Sequence, residues 1–78
     1  MNMGLTRRTF DVRTRADVLR ELTRRVQAEY AEMPGLSVTL TQAQRLWAAD
    51  RQTCESVFKG LAARGFLRMT RKGRFIRA

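Results

Sequence analysis

Two short helical segments separated by a tight turn constrain the fold of this chain more than any other feature. Each segment follows a residue that caps helices, and the second stops at a glycine. The predicted segments are about Gln42–Ala48 after Thr41, and about Arg51–Arg64 between Asp50 and Gly65. Thr41 and Gln44 match the T-x-x-Q capping box. Asp50 suits an N-cap, and Gly65 can take the left-handed conformation that ends a helix. Ala49-Asp50 supplies a tight turn between the two segments.

Apolar residues at helical spacing give each of these segments one inward face. The predicted inward residues are Ala43, Leu46 and Trp47 on the first, and Cys54, Val57, Phe58 and Leu61 on the second. Trp47 is alternatively an exposed platform for stacking bases, but we favour a core position because this small domain has one tryptophan. We interpret Cys54 as a small core hydrophobe and not as a redox sensor.

A longer helix is predicted before this pair, over about Arg15–Glu32. Its apolar stripe repeats every four residues, with two further apolar side chains beside it: Val18, Leu22, Val26 and Tyr30, then Leu19 and Met33. Thr14 is the predicted N-cap, with Asp17 as an acidic variant of the capping box. Pro34-Gly35 ends the helix, because proline cannot continue it.

Short β segments flank the helical pair. Residues 36–40 alternate apolar and polar side chains and predict one brief strand. A hairpin is predicted from 66–70 and 74–77, where Gly73 supplies the left-handed conformation that the loop needs. The fold class is therefore mainly α with a small antiparallel sheet (α+β). Residues 1–13 show no clear period and are predicted to be a flexible N-terminal tail, with residues 14–78 as the domain.

Charge is the most unusual property of the composition. Sixteen Lys and Arg residues against seven Asp and Glu residues give a net charge of +9, and the pI is about 11.6. A domain this basic is expected to bind a polyanion, although arginine-rich usage can also reflect genome composition. The location of the charge favours the polyanion, because residues 64–78 carry six basic residues and no acid.

Several classes of protein are disfavoured by the same composition. No apolar run approaches the ~20 residues that span a bilayer, so no membrane partner is expected. With one cysteine and no histidine, neither an internal disulfide nor a zinc site is expected. An enzyme is not expected, because general acid–base catalysis would depend on seven scattered carboxylates. No cofactor is implied. We expect a cytoplasmic protein, nucleoid-associated if prokaryotic.

The predicted order is helix, strand, helix, helix, strand, strand, and this order resembles the winged helix-turn-helix superfamily of DNA-binding domains. The resemblance covers residues 14–77 and is carried by TLTQAQRLWAADRQTCESVFKGLAARGFLRMTRKGRFIR. Its most telling part is LAARGFL, which looks like the junction from recognition helix to wing. The resemblance implies that the helix 51–64 enters the major groove and that the wing 70–74 contacts backbone or minor groove. It implies a small transcriptional regulator.

The side chains expected on the outer surface fit this docking mode. Arginine can bond to guanine with two hydrogen bonds and glutamine to adenine, while serine and threonine accept either base. The predicted DNA-binding residues are Gln42, Arg45, Arg51, Gln52, Thr53, Ser56, Lys59, Arg68, Arg71, Lys72 and Arg74. Glu55 is the exception on this surface. It accepts from a cytosine amino group or pairs with Arg51 or Lys59, and we favour the ion pair.

The same residues are compatible with partners other than a single DNA duplex. A protein-interaction module without direct DNA binding is the main alternative, because winged helices serve both roles. An RNA partner is a smaller option. Two copies on a two-fold site are expected to form a homodimer through the first helix and the tail, which carries Leu5, Phe10 and Val12. No small-molecule effector is expected.

Overall fold

A computed structural model describes residues 14–78 and contains three helices followed by an antiparallel pair of strands. The helices are α1 Arg15–Glu32, α2 Leu40–Leu46 and α3 Arg51–Ala63, and the strands are β1 Leu67–Met69 and β2 Phe75–Arg77. The predicted class, mainly helical with a small antiparallel sheet, is confirmed. The predicted tail 1–13 lies outside the described residues.

The first helix begins and ends as the sequence predicts. The Thr14 hydroxyl accepts a hydrogen bond from the Asp17 amide at 3.0 Å. Hydrogen bonds of the Thr14 side chain and backbone to the Asp17 carboxyl lower the pKa of that group. Leu22, Val26 and Tyr30 are buried. Val18 and Met33 are instead 39% and 47% exposed. They lie near the two ends of α1, and an 18-residue helix extends beyond the small core that it covers.

The predicted start of α2 is wrong by two residues. Thr39, not Thr41, is the N-cap, and its hydroxyl accepts from the Gln42 amide at 3.1 Å. The Gln42 Oε1 accepts from the Thr39 amide at 2.9 Å, which completes the capping box. The segment TLTQAQ contains two overlapping T-x-x-Q patterns, at Thr39 and at Thr41. The first is selected because Val38 is paired with β2, and the chain is free to turn into a helix immediately after it.

The end of α2 also differs from the prediction. The helix stops at Leu46, and Ala48 adopts a φ of +51°, which turns the chain toward α3. Trp47 is buried, as predicted. Leu46 is 53% exposed, so its predicted inward position is wrong. A helix of seven residues presents only about two turns to the core, and that core is already filled on this side by Ala43 and Trp47.

The third helix follows the prediction closely. The Asp50 carboxylate accepts from the Thr53 amide at 2.7 Å, and this bond is the main reason that the pKa of Asp50 is lowered. All four predicted inward residues, Cys54, Val57, Phe58 and Leu61, are buried. Burial also raises the pKa of the Cys54 thiol. Gly65 has a φ of +82°, so the predicted glycine stop is confirmed.

The two strands form a hairpin, defined here as residues 67–77, in which Arg68 faces Ile76 across the ladder. The Thr70 amide donates to the Arg74 carbonyl at 2.8 Å, and Gly73 has a φ of +78°. The predicted strand 36–40 is reduced to one bridge between Val38 and Phe75. The prediction of a third strand is therefore wrong. The chain bends on both sides of Val38, because the Leu36 amide bonds to the Met33 carbonyl and Thr39 caps α2.

The core joins α1, α3 and β2 through aromatic side chains. The ring of Phe58 lies 5.8 Å from the ring of Trp47 and 5.1 Å from that of Phe75. The buried Tyr30 hydroxyl donates to the Phe75 carbonyl at 2.7 Å, and burial raises the pKa of Tyr30 to about 12. The Val38 amide donates to the same carbonyl at 3.3 Å. Phe75 therefore connects the first helix, the bridge at Val38 and the hairpin.

Candidate nucleic-acid interface

The exposed face of α3 presents polar side chains at helical spacing. Gln52, Ser56 and Lys59 are exposed, as predicted. Thr53 is only 6% exposed, so the prediction that it faces outward is wrong. It borders the buried stripe of α3 and lines a cavity with residues of α1 and of the turn between α2 and α3, while its amide donates to Asp50. The exposed polar face of α3 that remains can contact a nucleic-acid groove without any movement of the core.

Arg51 and Glu55 form the ion pair that the sequence favours. The distance from Arg51 Nε to the Glu55 carboxylate is 3.6 Å, and both side chains are partly exposed. Exposed pairs of this kind contribute about 0–1 kcal/mol, because water competes for both charges. Arg51 can therefore exchange Glu55 for a phosphate or a guanine at small cost.

The hairpin carries a second group of exposed cations. Arg71 and Lys72 lie in the loop between β1 and β2, and Arg68 lies on β1. All three are exposed, as expected for side chains that contact a polyanion. On α2, Arg45 is also exposed. The ion pairs Arg20–Asp17 and Arg51–Glu55 do not involve these four cations.

Two further residues of the predicted site contact each other. Arg74 is partly buried, and its Nη1 donates to the Ser37 carbonyl at 3.2 Å and to Gln42 Oε1 at 3.3 Å. Gln42 is exposed, but its amide oxygen also serves the capping box of α2. The structure thus gives both residues an intramolecular role.

Arg64 is an exposed cation that the predicted set omits. It follows the last residue of α3 and precedes the hairpin, so it lies between the two predicted contact regions. The sequence could have indicated Arg64 as a candidate, because it lies in the run 64–78, which contains no acidic residue. Arg77, in the same run, instead lies over the ring of Phe66, with its guanidinium carbon 4.2 Å from the ring centre. This contact holds Arg77 against the protein surface.

Positive charge is concentrated outside α1. The helix α1 contains four arginines and four acidic residues, so its net charge is zero. Residues 33–78 contain nine basic and two acidic residues, a net charge of +7. All of the excess positive charge of residues 14–78 therefore lies on α2, α3, the hairpin and their connections.

Other kinds of site are less developed in this molecule. A cavity of about 350 Å³ lies between α1 and the turn that joins α2 to α3, and Val18, Trp47 and Asp50 are among its lining residues. Residues 14–78 hold no group of three or more side chains suited to bind a metal ion. No helix of this region has the length and apolar character required to cross a bilayer.

Comparisons with protein-family models, with curated proteins and with solved structures found no match to this chain.

Proposed function

We propose that this chain is a winged helix-turn-helix domain that binds double-stranded DNA and acts as a small transcriptional regulator. In this proposal α3 enters the major groove and the hairpin loop contacts the backbone or minor groove. The observation that supports it most is the segregation of charge, with a neutral α1 and a net charge of +7 on residues 33–78. A surface of this kind binds DNA by replacing the counterions along its phosphates.

The exposed side chains of α3 support a role in reading bases. Gln52 lies in the first turn and Ser56 one turn later, and both are exposed. A glutamine can bond to adenine through two hydrogen bonds, which contribute about 1–3 kcal/mol of discrimination against other bases. In this proposal Gln52 reads a base, while Arg71 and Lys72 contact phosphates and contribute no sequence preference.

Binding to random-sequence duplex DNA over a salt series tests the proposal. The variant Arg71→Ala/Lys72→Ala removes two phosphate contacts, and it should lower the slope of log affinity against log salt by about 1.8. The variant Arg24→Ala/Arg25→Ala is the matched control, because it removes the same charge from exposed positions of the neutral α1. The control should leave the slope nearly unchanged. Equal losses in the two variants would contradict a specific site.

Selection of preferred sequences tests base reading separately. The variant Gln52→Ala should bind random duplexes almost as well as the wild type and should lose preference at one base pair. The variant Lys59→Ala, on the same exposed face, should weaken binding to all sequences alike. A Gln52→Ala protein with an unchanged preference contradicts the assignment of Gln52.

The exposed Leu46 favours a second candidate function, the binding of a protein partner. It lines a shallow groove of about 340 Å³ together with Ser37, Val38, Gln42 and Arg45. Exposed apolar surface that lines a groove is a feature of interaction sites, and Leu46, which is 53% exposed, supplies such surface here. Absence of DNA binding at about 50 mM salt, where phosphate contacts are strong, would refute the DNA proposal and leave this candidate.

The proposal includes a homodimer on a two-fold DNA site, because a small domain gains specificity by pairing two half-sites. The exposed Val18 and Met33 make α1 the candidate contact surface. Sedimentation at about 100 µM protein, with and without DNA, tests the pairing by mass action. A monomer that binds DNA one-to-one contradicts it.

A further inference from the structure

We propose that Arg74 is a positioning residue that fixes the hairpin loop against the start of α2. The residue precedes β2, and the sequence predicts it as a direct DNA contact. Its side chain is instead turned toward the protein, whereas Arg71 and Lys72 in the same loop are exposed. This inference rests on the proposed function only where it concerns DNA affinity. Its structural part concerns the DNA-free protein.

Arg74 connects two regions that are distant in sequence. Its Nη1 donates to the Ser37 carbonyl at 3.2 Å and to Gln42 Oε1 at 3.3 Å, and Gln42 is 32 residues earlier in the chain. On the other side, the Arg74 amide donates to the Thr70 hydroxyl at 3.2 Å, and its carbonyl accepts from the Thr70 amide at 2.8 Å. One residue therefore closes the hairpin loop and attaches it to α2.

The attachment point on α2 is itself rigid. Gln42 Oε1 accepts from Arg74 and also from the Thr39 amide, at 2.9 Å, within the capping box. An amide oxygen has two acceptor sites, and these two donors occupy both. The side chain of Gln42 is consequently held on two sides. The hairpin loop is attached to Gln42 through Arg74. It therefore has a defined position relative to α2, the helix that Gln42 helps to cap.

An ion pair does not explain this geometry. Its two acceptors are neutral oxygens, and the ion pairs of the described residues do not include Arg74. What the guanidinium supplies is a planar group whose single Nη1 has two hydrogens and reaches both acceptors. The consequence for DNA binding is indirect. Arg71 and Lys72 meet phosphates in a fixed register with α3 only if Arg74 holds the loop in place.

Backbone ¹⁵N relaxation of the DNA-free protein tests the structural part. The variant Arg74→Met keeps a long side chain and removes the donors, while Arg68→Met makes the same change on β1 at an exposed cation. The order parameters of the amides at residues 71–73 should fall in Arg74→Met from about 0.85 toward 0.6 or below. They should stay near the wild-type values in Arg68→Met. Unchanged values in Arg74→Met overturn the proposal whether or not the chain binds DNA.

A double-mutant cycle tests the consequence for DNA binding. Arg74→Met is introduced into the wild type and into the Arg71→Ala/Lys72→Ala background. A positioning residue has little to act on once the loop cations are gone, so its loss of affinity should be smaller in that background by about fivefold or more. Equal losses in both backgrounds identify Arg74 as an independent phosphate contact and overturn the positioning role. If the wild type does not bind DNA, the proposed function fails, and the relaxation result still decides the structural claim.

Discussion

Replacing Gly60 by alanine should stabilise the protein. Gly60 is exposed within α3, and a Cβ atom added to it would meet no atom within 4 Å. Alanine is more favourable than glycine in a helix interior by about 0.8–1.0 kcal/mol, since glycine loses more backbone entropy on folding. Because Gly60 lies three residues before Ala63, the last residue of α3, we expect about 0.5–1 kcal/mol. For a domain of this size that corresponds to a rise in Tm of about 2–8 °C.

Thermal and urea unfolding followed by circular dichroism measure this change, and Gly65→Ala is the matched control. The position of Gly65 is equally open, but its φ of +82° is unfavourable for alanine. The control should therefore be destabilised by about 1 kcal/mol. A Gly60→Ala protein that is no more stable than the wild type would refute the reasoning, because it would mean that α3 is not a regular helix through residue 60 or that the site is not open.

Three further predictions address the turns and the core. Thr39→Ala should lower the free energy of unfolding by about 0.5–2 kcal/mol, whereas Thr41→Ala should change it by less than about 0.5 kcal/mol; equal losses in urea unfolding would contradict the observed capping box. Ala48→Gly should raise the free energy of unfolding by about 0.5 kcal/mol, because relief of the positive φ exceeds the added entropy of the unfolded chain; a loss of stability contradicts the turn geometry. The pKa of Tyr30 is about 12 in the folded protein against 10.0 for the free group, so its contribution to stability is complete below pH 10 and is lost as the pH rises from 10 to 12. Unfolding measured across this range should show the loss in the wild type and not in Tyr30→Phe, and the same loss in both proteins would contradict the assignment.

Local signals were sufficient to predict α1 and α3. Each of these helices has a single capping residue, Thr14 or Asp50, a long apolar stripe and a clear terminator. The three signals agree, so a small error in any one of them moves the boundary by at most a residue. Gly65 and Gly73 were predictable for a similar reason, since each occupies a position that requires a positive φ.

The start of α2 could not be predicted from local sequence, because two capping boxes overlap in TLTQAQ. The choice between Thr39 and Thr41 depends on the pairing of Val38 with Phe75, a contact between residues far apart in the chain. The exposure of Leu46 has a related origin. An apolar residue in a helix of two turns is buried only if a partner surface exists, and periodicity alone does not reveal that surface.

Local sequence likewise predicted the exposure of some candidate-site residues correctly and of others incorrectly. Helical periodicity correctly predicted that Gln52, Ser56 and Lys59 are exposed. It wrongly predicted an exposed position for Thr53, which lies at the boundary between the exposed and buried faces of α3. The contact between Gln42 and Arg74 could not be predicted from the sequence, because neither residue type nor spacing indicates it. Residue type predicted which side chains suit DNA, and the fold determined which of them also serve another purpose.

The position of Phe75 has a consequence for how the protein is made. Its carbonyl receives the Tyr30 hydroxyl, its backbone pairs with Val38, and its ring packs on Phe58. All three partners leave the ribosome before it does. A nascent chain that ends before β2 has therefore made its helices but lacks the residue that closes their shared apolar surface. Such a chain is expected to be collapsed and sensitive to protease, and to reach its native packing only when residues 75–77 have emerged.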